Sequence, residues 1–222
     1  MPELLSEGWS LVTRHPPAEP KLLSEGWPRV TLEMILDIVK YGHPVLRKKG
    51  ERIERLTPEI KKLIADMLET MHASNGVGLA AQQIGHALHL TVLDVREAKE
   101  RPSWLELDGQ PADVNSLMPL VLINPEIKPH GDPVLGGEGC LSFPEIFGEI
   151  ARPGSVDVKA LNEKGKPVEF RCGGLLARAI QHEVDHLNGI LFIDRMDKAT
   201  KEELRPQLDT LQAATKAGLQ KT

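Results

Sequence analysis

Aromatic residues make up only 4% of the 222 positions, too few to build stacking platforms for nucleic-acid bases. Positive charge is not in excess either. There are 27 Lys and Arg against 32 Asp and Glu, a formal charge of −5, and the basic residues are spread along the chain. That argues against a nucleic-acid surface. The only cysteines, Cys140 and Cys172, cannot found a disulfide scaffold and fit a reducing compartment. No apolar run approaches the roughly 20 residues needed to span a bilayer. The N-terminal region has no basic stretch leading into an apolar one. Its Glu3, Glu7, Glu19 and Glu25 are out of place in a transit peptide. A cytoplasmic protein with no membrane partner is expected. What the chain does have, 41% hydrophobic and 27% charged residues, suits a soluble domain with a real core.

The first residues differ from the rest. Leu4-Leu5-Ser6-Glu7-Gly8-Trp9 recurs as Leu22-Leu23-Ser24-Glu25-Gly26-Trp27. Two short copies cannot form a solenoid, and Pro16, Pro17 and Pro20 between them oppose regular structure. Residues 1–31 are therefore read as a partly extended arm, with Trp9 and Trp27 available as anchors on the body or on a second subunit. A catalytic domain is expected over 32–197, and a C-terminal helix and tail over 198–222.

Within the body, Thr57-Pro58-Glu59 has the composition of a helix start. Ile60, Leu63, Ile64, Met67, Leu68 and Met71 then keep one helical face. Residues 88–95, 120–123 and 155–161 read as strands, and 168–170 as the return from a turn at 162–166. Residues 175–187 form an apolar helical stretch, stopped by Asn188-Gly189, and a polar helix is expected over 201–219. The fold class that follows is α+β: mostly antiparallel β-sheets around a buried central helix, with an additional C-terminal helix.

That central stretch contains Gln181-His182-Glu183-Val184-Asp185-His186. Positions four apart share a helix face, so His182 and His186 can offer two imidazoles to one metal ion, and Glu183 can hold a water on it. Apolar Ile180, Val184 and Leu187 predict burial, which two histidines and a glutamate tolerate only with partners. A tetrahedral catalytic site needs a third protein ligand and an open position. Asp194, Asp197 and Glu202 lie downstream. The better candidate is upstream, the thiol of Glu138-Gly139-Cys140-Leu141-Ser142, since a thiolate suits zinc or ferrous iron. Gly76-Val77-Gly78-Leu79-Ala80-Ala81-Gln82-Gln83 supplies small residues that let backbone approach a ligand. Gln83 there can donate an amide to a developing oxyanion.

Together, and in this order, the three segments resemble the peptide deformylases, over roughly residues 34–196. The resemblance implies removal of the N-formyl group from the N-terminal formylmethionine of newly made polypeptides, with formate released. It implies metal ligation by Cys140, His182 and His186. Glu183 would be the general acid/base, and Gln83 and the Leu141 N–H the oxyanion donors. Gly76, Val77, Gly78 and Ala179 would contact the substrate. The implied cofactor is one divalent metal ion, natively Fe2+, with Zn2+, Ni2+ or Co2+ as substitutes; the implied partners are formylated nascent peptides at the ribosome. Several relatives carry arginine where Phe147 stands, which leaves contacts to the substrate backbone open. Glu138 and Arg152 are expected to form a buried ion pair, because an uncompensated charge behind the metal loop would be costly.

Two other readings use the same residues. In a peptidase, the third ligand would come from downstream and Cys140 would be incidental. In a structural zinc site, Cys140, Cys172, His182 and His186 would close the coordination, although the usual paired-cysteine spacing is missing and Glu183 would have no task.

Overall fold

The computed structural model describes residues 34–220; the arm expected over residues 1–31 lies outside them. Helix α1, Pro58–Ala73, starts as its composition dictates, with the Thr57 hydroxyl accepting from the Ile60 N–H and proline in the first turn. Seven strands follow: β1 Gly78–Ala80, β2 Leu90–Leu93, β3 Ser103–Leu107, β4 Gln110–Ala112, β5 Leu120–Cys140, β6 Phe143–Leu161 and β7 Pro167–Gly174. Helix α2, Leu175–Leu187, has the expected limits, and α3 covers Lys198–Leu219. The strands form a sheet in the order β1-β2-β5-β6-β7-β3-β4, and every neighbouring pair is antiparallel. The α+β architecture is as expected.

The short apolar run at 120–123 is the hinge of the packing. Leu120 and Leu122 join the core around α2, with Val156, Val158, Phe170, Leu176 and Ile180. Val121 and Ile123 join the core under α1, with Met67, Met71, Leu79 and Leu90. Side chains alternate faces along a strand, so both faces of β5 are covered here, which is why this run is apolar throughout. A third cluster, with Phe143, Ile150, Phe192, Ile193 and Leu208, seats α3, of which Leu208 is the one buried residue.

The strand lengths depart from the expectation. β5 and β6 run on to 21 and 19 residues as one hairpin. Its register slips near Ile123, His130 and Gly139. Such bulges bend and twist a strand and break the alternation by which strands are recognised. β1, β3 and β4 are too short for a periodic signal. α3 begins three residues before the expected 201, because Asp197 caps it, its carboxylate accepting from the Ala199 and Thr200 N–H groups at 2.8 and 3.0 Å.

Candidate metal centre and catalytic cleft

Every residue of α2 except Arg178 is buried, so the helix can carry His182, Glu183 and His186 only if the fold supplies polar partners. It does so from the β5–β6 hairpin. Cys140 closes β5 beside the bulge between Gly139 and Cys140, and its Sγ lies 3.3 Å from His186 Nε2. One ligand atom from each of Cys140, His182 and His186 lies within 4.8 Å of the others. His182 Nδ1 pairs with Glu138 Oε2 at 2.9 Å. With the proton of that bond on Nδ1, Nε2 is left as a lone-pair donor facing the cluster, the usual arrangement behind a metal-ligating histidine.

The electrostatics point the same way. Burial alone would raise the Glu138 carboxyl, but hydrogen bonds from His182 and Arg152 hold it down at about 2. Burial opposes a charge on His182, yet its bonds to Cys140 and Glu138 push it up to about 10. A proton held on His182 at its Cys140 side thus occupies the place of a metal ion, and binding the ion would displace it. One thiolate and two imidazoles make a three-ligand set that leaves a fourth position open, and these residues fit a divalent ion. Burial lifts Glu183 to about 7, and its Oε2 has no protein partner among the described residues.

The glycine segment is what lets the other two close. A Cβ on Gly78 would run into the Glu183 carboxylate, and one on Gly76 would sit 2.8 Å from Leu141 Cδ1. Gln83 Oε1 accepts from the Ala80 N–H at 2.8 Å. That fixes the amide and directs Nε2 toward Cys140 Sγ, 3.4 Å away. A cleft of about 580 Å³ is lined by Gly76, Val77, Gly78, Gln83, Cys140, Leu141, Ala179, His182 and Glu183. His186 lies behind this wall, only 1% exposed.

The residues of the competing readings go elsewhere. Asp194 pairs with Arg47 and accepts from the Leu191 N–H at 2.9 Å, Asp197 caps α3, and Glu202 pairs with Arg205. Cys172 is buried in β7 between Leu105 and Val156, where desolvation pushes its thiol up to about 12. It is not part of the ligand group.

Glu138 and Arg152 do pair, through two bonds of 2.7 and 3.0 Å, but they belong to a wider network. Arg152 also donates to Asp185 at 2.8 Å, Asp185 accepts from Arg195, and Arg178 donates to Glu138 at 2.9 Å. The sequence motif contains Asp185 but gives it no partner, and Arg178 and Arg195 lie in no motif. The available signal was Asp185 itself, an acid in an apolar helix that had to find a cation.

Comparison with known proteins agrees with this geometry. The sequence model of the family described as polypeptide deformylase matches residues 35–202. A peptide deformylase of Opitutus terrae is 48% identical over 186 residues, 83% of this chain and 96% of that protein. One of Methylacidiphilum infernorum is 45% identical, over 80% and 93%. A solved peptide deformylase from Synechococcus elongatus, in complex with actinonin, superposes with a TM-score of 0.66 at 38% identity. It covers 85% of this chain and 94% of that one.

Proposed function

The chain belongs to the polypeptide deformylase family and is a hydrolase, and from that premise we propose that it removes the N-formyl group from the N-terminal formylmethionine of newly made polypeptides. The observation that carries this reading is the meeting of Cys140, His182 and His186 with Glu183 and Gln83 on one cleft. Cys140, His182 and His186 would hold the metal ion, natively Fe2+, with Zn2+, Ni2+ or Co2+ as substitutes suited to the same mixed donors. Such an ion, when bound, supplies Lewis acidity and lowers the pKa of water toward neutrality.

The protein's own groups do the rest. Glu183, held at about 7 by burial, is matched to proton transfer near neutral pH. It takes the proton of the attacking water as the water oxygen bonds to the formyl carbon. Gln83 Nε2 and the Leu141 N–H donate to the oxygen that gains charge. The C–N bond then breaks, Glu183 returns the proton to the leaving amine, and formate departs. Gly76, Val77, Gly78 and Ala179 shape the wall against which the methionine side chain and the substrate backbone rest. Selectivity for formyl would be steric: a site crowded by the bound ion would admit a hydrogen on the acyl carbon more readily than a methyl.

The substrate is defined by a formylated N-terminus, so its source is nascent chains at the ribosome, and the place of action is the cytoplasm. No described helix is long and apolar enough to cross a membrane. The test is formate release from formyl-Met-Ala-Ser by metal-loaded protein, beside an internal peptide-cleavage assay. Formate without cleavage is expected; cleavage without formate would favour a peptidase.

A further inference from the structure

The residues that precede the first helical turn lie against the proposed oxyanion donors. The Val39 N–H donates to the Gln83 carbonyl at 2.8 Å, and the Tyr41 N–H to the Ser142 carbonyl at 2.9 Å. Between them, Lys40 Nζ donates to the Leu141 carbonyl at 2.9 Å. The Tyr41 ring stacks on Phe143, 4.8 Å between centroids. Three consecutive residues therefore fasten Gln83 and the 141–143 segment to one strap, and Lys40 also lines the cleft.

Leu141 needs such a hold. It sits in the turn between β5 and β6, next to the bulge at Gly139 and Cys140, outside the regular ladder, and the neighbouring Ser142 hydroxyl has no partner among the described residues. A backbone carbonyl at a cleft wall could be satisfied by water. Fixing a long lysine side chain on it instead costs rotamer freedom and part of the ammonium's hydration. The cost has a reason if the backbone conformation of Leu141 matters.

We propose that Lys40 is a positioning residue for the reaction: by holding the Leu141 carbonyl it fixes the peptide that follows Leu141 and so, across the Leu141 Cα, restrains the preceding peptide whose Leu141 N–H points to the oxygen that gains charge. This rests on the deformylase reading above. The strap then couples both oxyanion donors, so that Gln83 and Leu141 keep a common spacing.

The experiment compares Lys40→Met, Lys40→Gln and Lys40→Arg in the full, metal-loaded chain. It reads metal content, kcat and KM for formyl-Met-Ala-Ser, and the amide NMR shifts of Leu141 and Ser142 in the zinc form. Lys40→Met is expected to keep its metal and lose about 10- to 100-fold in kcat, the scale of a misaimed oxyanion donor. KM should stay within about two-fold, because an interaction made only in the transition state is the one removed. The two amide shifts should move in Lys40→Met and return, with most of kcat, in Lys40→Arg. An unchanged kcat, a loss carried by KM or by metal content, or an arginine variant no better than methionine would overturn the proposal. Should Lys40→Met not fold, equal kcat in the glutamine and arginine variants would overturn it, and a lower kcat in glutamine would support it. A wild-type chain that releases no formate would remove the premise and this proposal with it. That failure is told apart by its occurring before any substitution.

Discussion

At the scale of single residues, chemistry is concentrated where burial and charge conflict. Glu183 is buried on α2, has one oxygen without a protein partner among the described residues, and faces a glycine whose missing side chain makes room for it. Glu183→Gln should therefore fold and keep its metal while formate release falls about 10²–10⁴-fold, the usual weight of general acid/base work. An activity within a few-fold of wild type, measured on metal-loaded protein, would remove Glu183 from that role. These residues were legible in the chain because each carries a strong local signal: two imidazoles one helical turn apart, a thiol beside glycine, and glycines flanking an apolar residue. Lys40 carried none. A lone lysine between Val39 and Tyr41 looks like any solvated lysine until the fold brings the Leu141 carbonyl to it.

At the scale of elements, the metal helix is tied to the long hairpin by charge. Glu138 takes hydrogen bonds from Arg152, Arg178 and His182, and Asp185 from Arg152 and Arg195. Arg152→Ala leaves two buried carboxylates short of a partner, although Arg178, His182 and Arg195 remain. The expected cost is at the lower end of the range for a broken buried pair, about 3 kcal/mol, read from the unfolding midpoint in denaturant. An unchanged midpoint would contradict it. The pH dependence has a definite sign. Glu138 sits at about 2, below its ordinary 4.5, so its contribution is complete above about 4.5 and is lost as pH falls through about 2. Arg152→Ala should flatten that acid limb. The helices were legible because caps and 3.6-residue periodicity are local. The hairpin was not. Its segment from Pro129 to Gly139 mixes proline, glycine and charge, and three bulges interrupt the period-two pattern. What makes it strand is pairing with β6, which no short stretch of sequence displays.

At the scale of the whole molecule, one fold brings together segments far apart in the chain: Gln83 lies 57 residues before Cys140, and Cys140 lies 42 before His182. The order of the motifs was readable in sequence; their meeting depends on the register of the β5–β6 hairpin and on α2 being covered by sheet. None of the three motifs falls within residues 1–31. A chain lacking residues 1–31 is expected to deformylate at the wild-type rate. A folded truncation without activity would assign the arm a part in the site, and a change in molecular mass alone would assign it to assembly. The central claim is an open catalytic metal centre that uses one of the two cysteines. Metal content and formate release, measured side by side in Cys140→Ser and Cys172→Ser, test it most directly. Cys140→Ser should lose metal or activity, while Cys172→Ser, altered only in the core of β7, keeps one metal per chain and near-normal turnover. Equal loss of metal in both would contradict the open centre and restore a closed structural site.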